Sequence, residues 1–172
     1  MKYFIMTQDK RLRNVVKLKD FPTDQEADFD SSYKDQVNDN TVLHTVEKEN
    51  SLYPDVLLAP LYMVEDKIYR VATMYEETLI FKKVSLVNME RSTRKSYWLP
   101  LLDRVDCLHS ESRFYQDQSV EHLVLDKEKV RGREMFKIAG IAPNWVVVSM
   151  NIAESVLRRD CFGVRFEEIE VR

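Results

Sequence analysis

The sequence predicts an α+β fold in a single domain spanning 1–172, and three observations carry that expectation. Met135 to Val171 reads as strand, helix and strand in succession, a similar pattern occurs between Leu61 and Val87, and the other strands follow no regular alternation with helices. A chain of 172 residues buries roughly 70% of its unfolded surface, enough for one core without a metal or a disulfide.

Lys2 to Met6 and Val15 to Leu18 read as the first two strands. Asp20 to Asn40 then breaks the pattern. Seven acids, Asp20, Asp24, Glu26, Asp28, Asp30, Asp35 and Asp39, stand against Lys34 alone, so this stretch carries −6 while the whole chain carries −3. Apart from Phe21, Phe29 and Tyr33 it has few large apolar residues, so it predicts an acidic surface loop at about 20–40 with at most one helical turn. Thr41 to Val46 reads as a strand and Leu52 to Asp55 as a turn.

From Leu61 to Val64 the chain is extended; Asp66 stands as an N-cap, and Ile68, Val71, Ala72 and Tyr75 share one helical face ahead of a strand from Leu79 to Val87. Tyr97 to Leu102, Val105 to Leu108, Leu123 to Asp126 and Met135 to Ala139 follow as extended pieces, with Lys127 to Val130 a turn. Trp145 to Val148 is a β-branched and aromatic run. Asn151 and Glu154 have capping-box spacing; Ile152, Ala153, Val156 and Leu157 form an apolar stripe, with Arg158 and Arg159 in the last turn. Gly163 turns the chain into a strand with Val164, Phe166, Ile169 and Val171. The tally is about eight strands and two main helices, with Trp145 and Phe166 expected deep in the core. At an offset of 85 residues Asp66 falls on Asn151, Phe81 on Phe166 and Val84 on Ile169, the pattern expected of an internal strand-helix-strand repeat.

The chemistry classes narrow quickly. Gly132, Gly140 and Gly163 are the only glycines and are too far apart for a phosphate-cradling loop. His44, His109 and His122 lack metal-ligand spacing, so neither a metal nor a cofactor is expected. The net charge of −3 disfavours nucleic acid as a partner. Met1 to Met6 is too short for a secretory segment and no apolar run approaches the ~20 residues of a membrane span, so a cytoplasmic protein without a membrane partner is expected. Cys107 and Cys161 are expected as free thiols. The best nucleophilic arrangement is Cys107 with His109, which would share a face if they lay on a strand, with Asp103 or Asp106 to orient the imidazole.

Tyr97-Trp98-Leu99, Leu123 to Asp126 with Lys129-Val130, Met135 to Ile138, and Val148-Ser149 through Ile152 to Glu154 and on to Gly163 to Phe166 resemble a bacterial family of small proteins. That family, first a domain of unknown function, is grouped with the immunity proteins of polymorphic toxin systems. The resemblance covers roughly Pro60 to Phe166, and departs where Asp160-Cys161 stands in place of a second glycine before the last strand. It implies a non-catalytic protein that binds and neutralises a cognate toxin. The acidic loop then offers Asp24, Glu26, Asp28 and Asp30 as partner-binding residues, since carboxylates steer towards a basic toxin site. The alternative is a small hydrolase using Cys107 and His109.

Overall fold

Residues 1–19, 21 and 27–172 are described by the structure, a computed structural model. Among the described residues strand outweighs helix, at about 42% against about 15%, in mixed sheets that form half-barrels accompanied by three helices. The expected α+β class is thus met loosely, in a sheet-rich form.

One six-stranded sheet has the order β11 (Val124–Leu125), β14 (Val164–Val171), β1 (Tyr3–Gln8), β13 (Val146–Ser149), β12 (Met135–Ile138), β8 (Arg104–Val105). The other has the order β2 (Lys17–Leu18), β3 (Asn40–Val46), β6 (Ile80–Asn88), β7 (Thr93–Leu101), β5 (Met63–Glu65), β4 (Val56–Leu57). A separate pair joins β9 (Arg113–Phe114) to β10 (Val120–His122). The described residues therefore hold more strands than expected. The surplus is mostly two-residue strands, which exist because a neighbour supplies the ladder and so carry no periodicity of their own.

The helices are α1 (Asp66–Tyr75), α2 (Lys127–Val130) and α3 (Met150–Leu157). Each long helix starts one or two residues earlier than the sequence indicated. Glu65 caps α1 by accepting from the Lys67 amide, and Ser149 caps α3 by accepting from Ile152. Asn151 instead lies inside α3 and donates its side-chain amide to Glu134. Arg158 is the C-cap and Arg159 lies beyond the helix, where its guanidinium reaches the Ser155 carbonyl at 2.8 Å. Lys127–Val130 is a helical turn rather than an irregular one, because the Asp126 carboxylate accepts from the Glu128 and Lys129 amides.

Burial divides into three clusters. The central one joins the inner faces of α1 and α3 (Ile68, Val71, Ala72, Ile152, Ala153, Val156) to one face of each sheet, through residues such as Val64, Met6 and Val148. The opposite face of each sheet curls around its own core, one with Val84, Leu86, Tyr97 and Leu99, the other with Tyr3, Ile5, Phe136 and Val147. Trp145 and Phe166 are not deep in these cores. Trp145 precedes β13 and Phe166 sits on β14, and both are half-buried against the cluster edges. The aromatic rings that are fully enclosed are Tyr3, Tyr97 and Phe136.

Tyr62 and Tyr97 donate their hydroxyls to the Met6 and Pro54 carbonyls, each at 2.9 Å, and burial pushes both phenols well above the ordinary value of 10.0. A folded-state value above the unfolded one gives stability that is fully present below pH 10 and is lost as the pH climbs through it. Alkaline titration should therefore show the last tyrosines ionising together with loss of the far-UV circular dichroism signal. If all eight tyrosines ionise while that signal is still native, these two phenols are not buried as described.

Candidate partner-binding surface

The acidic segment is stitched to the body of the protein. Ala27 donates its amide to the Pro60 carbonyl at 2.8 Å and Ser31 to the Leu102 carbonyl at 3.1 Å, so residues 27–31 run beside both stretches. Asp30 then caps a single 3-10 turn, Ser31–Tyr33, by accepting from the Ser32 amide at 2.9 Å. Phe29 stands edge-on to Tyr33 at 5.2 Å, and Phe29 and Val37 pack on the core of the β3–β6–β7 sheet.

The carboxylates find cations far away in the sequence. Lys137 comes from the otherwise apolar strand β12, and its side chain is only 3% exposed. Its ammonium donates to Asp28 Oδ1 and to the Phe29 carbonyl, both at 2.8 Å. Arg104 donates to Asp28 and, at 3.1 Å, to Asp30 Oδ2. Burial pushes the Lys137 ammonium below its ordinary value and Asp28 opposes that shift, the pattern of a buried charge held by its partner. Hydrogen bonds from Ser32, then Arg104, hold the Asp30 carboxyl below the usual carboxylate range. Further along, Asp39 takes Lys82 Nζ at 2.6 Å, which lowers that carboxyl as well.

Of the four acids expected to meet a partner, Asp24 and Glu26 lie outside the described residues. Asp28 and Asp30 are ion-paired with Arg104 and Lys137 and remain partly exposed, so they hold the segment to the body of the protein while their carboxylates still reach its surface. Beyond the anchor, Tyr33, Lys34, Asp35 and Gln36 are all exposed. Ser31 also borders a recess of about 50 Å³ shared with Glu76, Asp103 and Arg133, so further carboxylates adjoin the segment. Sequence reasoning missed Lys137 and Arg104. The available signal was Lys137 itself, a lysine within the run Met135–Ile138 that is apolar on both sides.

A second uncovered surface lies on the helix pair. Tyr75 Oη meets Ser155 Oγ at 2.8 Å, joining α1 to α3, while Met74, Tyr75, Met150 and Leu157 are exposed. Arg70 pairs with Asp66 and Arg158 with Glu154 along the same helices.

The thiols are poorly placed for catalysis. Both cysteines are free, and Cys107 is fully buried, its thiol pushed up to about 11 by burial and then by Asp106. Strand β8 ends at Val105, so Cys107 and His109 flank the bridge residue Leu108 without sharing a strand, and His109 Nδ1 accepts from the Glu111 amide at 3.3 Å. Among the described residues no group of acidic, histidine and cysteine side chains is arranged to hold a metal ion, and no helix is long and apolar enough to cross a membrane. No family model matches the chain, and no curated protein matches it.

Proposed function

We propose that this protein is an immunity protein that binds and neutralises a cognate bacterial toxin in the cytoplasm, without catalysis of its own. The observation that carries the reading is the anchoring of the acidic segment by Lys137, Arg104 and Lys82. A solvated loop needs no buried lysine. A segment held in place loses little conformational freedom on binding, and carboxylates fixed at a surface steer a basic partner. In the same reading the fold is α+β, with one strand-helix-strand unit used twice.

The hydrolase reading with Cys107 and His109 draws no support from the geometry. A nucleophilic cysteine needs its thiolate near neutral pH, and burial drives Cys107 the other way.

The test separates field from anchor. Replacing Asp24 and Glu26 by Asn and Gln should slow association with the cognate toxin by about tenfold at low salt and flatten its salt dependence. The melting curve should not move. Stopped-flow association at several salt concentrations gives the answer, and an unchanged rate would move the binding face to the helix pair around Arg70 and Glu154.

A further inference from the structure

Each sheet contains the same five-strand pattern. In one, β3 lies parallel to β6, β6 antiparallel to β7, β7 to β5, and β5 to β4. In the other, β11 lies parallel to β14, β14 antiparallel to β1, β1 to β13, and β13 to β12. In both, a helix joins the two strands that flank the central one: α1 between β5 and β6, α3 between β13 and β14.

Register carries the correspondence to single residues. On β7, Tyr97 sits between Glu65 and Val84; on β1, Tyr3 sits between Ser149 and Ile169. Glu65 and Ser149 are the two helix N-caps, and Tyr97 and Tyr3 are both buried tyrosines that donate to a backbone carbonyl, of Pro54 and Val130 respectively. Extending the registers pairs Trp98 with Phe4, Phe81 with Phe166 and Val64 with Val148, and every one of these faces the central cluster. Val84 with Ile169, Met63 with Val147, Leu57 with Phe136 and Leu43 with Leu125 face the two separate cores. The helix N-caps correspond at 84 residues and the following strands at 85, because the second unit has one more residue between the N-cap and the matching strand position, from Ser149 to Ile169 as against Glu65 to Val84.

We infer that the protein is a duplicated half-barrel in which the second copy is circularly permuted: β1 is the closing strand of the unit that otherwise runs from β11 to β14. In the first unit β6 and β7 are joined by a hairpin, whereas in the second the equivalent place lies between Arg172 and Met1. Val87 corresponds to Arg172 and Lys95 to Met1, so a segment the length of Asn88 to Arg94, seven residues, would bridge these two positions. The parts without a counterpart include the acidic segment, which makes it an addition to a repeated scaffold.

The test joins Arg172 to Met1 through a copy of the seven-residue sequence Asn88 to Arg94 and opens the 172-residue chain elsewhere, either between Arg13 and Asn14 or between Asp117 and Gln118. At least one permutant should regain the native near-ultraviolet spectrum and a cooperative melt within about 5 °C of the parent. Its grafted hairpin should protect the amides of the copied Asn88 and Thr93 against hydrogen exchange to within about tenfold of the originals. The exchange readout excludes mere tolerance of a linker. Failure to fold from both openings overturns the inference, and so does a folded permutant whose linker is unprotected.

Discussion

Replacing Asp28 by Asn should lower the unfolding free energy by about 3 kcal/mol, although this residue lies in a segment that composition alone marks as loop. The Lys137 ammonium is almost wholly enclosed and has two acceptors, the Asp28 carboxylate and the Phe29 carbonyl. The substitution removes the compensating negative charge and leaves the buried ammonium with neutral acceptors only, the new amide oxygen and the Phe29 carbonyl, and breaking a buried pair in this way costs about 3 to 5 kcal/mol. The lower figure applies because the Asp28 side chain is 33% exposed and water screens it from that side. Lys137→Met should cost much less, since it removes the buried charge itself, fills a similar volume, and leaves Asp28 with Arg104. Urea unfolding of both variants measures the asymmetry. Equal losses, or a loss below about 1 kcal/mol for Asp28→Asn, would show that the pair does not anchor the segment. If the protein is the immunity protein proposed above, Asp28→Asn weakens toxin binding together with stability, whereas changes at Asp24 and Glu26 weaken binding alone.

What the sequence made legible was local, and what it hid was distant. The helix stripes at Ile68, Val71 and Ala72 and at Ile152, Ala153 and Val156 follow from spacing and are buried, whereas Tyr75 and Leu157, expected on the same faces, lie at the last turns and are exposed. The caps were misplaced because Ser149 and Asn151 are both good cap formers, and only the backbone decides which adopts the extended conformation. The composition of the acidic segment was plain. Its partners were not, since Arg104 lies 74 residues from Asp30 and Lys137 lies 109 from Asp28, beyond any local pattern. Of the repeat inferred above, the offset of 85 fits the strands but not the helices, which stand 84 apart, and the place of β1 was hidden because its ladder partners stand far along the chain. Trp145 and Phe166 misled for a related reason: a bulky ring indicates apolar surroundings but not how fully distant elements cover it, and both rings lie at cluster edges although β13 and β14 are inner strands of their sheet.

Gly163→Ala should destabilise the protein by about 2 to 5 kcal/mol, and a matched control divides that loss into its causes. Gly163 has φ +71°, where a side chain costs about 1 to 2 kcal/mol by backbone sterics alone. A Cβ placed there would also lie 2.5 Å from Pro54 Cβ and 2.8 Å from Leu12 Cδ1. Leu12 can rotate away. Pro54 has little freedom, because its ring is rigid and its carbonyl accepts the buried Tyr97 hydroxyl. The glycine's own loop is fixed from both sides: its carbonyl accepts from the Asp9 amide at 2.9 Å, while the Phe162 amide donates to Asp55 Oδ2 at 2.6 Å and the Phe162 carbonyl accepts from the Asp55 amide at 2.7 Å. The clash therefore falls on a contact between the two half-barrels, where neither side can yield without breaking these bonds, and overpacking of this kind adds about 1 to 3 kcal/mol. Gly132 supplies the control, with φ +74° and no atom within 4 Å of its added Cβ. Gly132→Ala should lose only the backbone share, about 1 to 2 kcal/mol. The difference between the two variants in denaturant melts measures how tightly the loop before β14 is seated on Pro54, and equal losses would mean that this inter-barrel contact is loose.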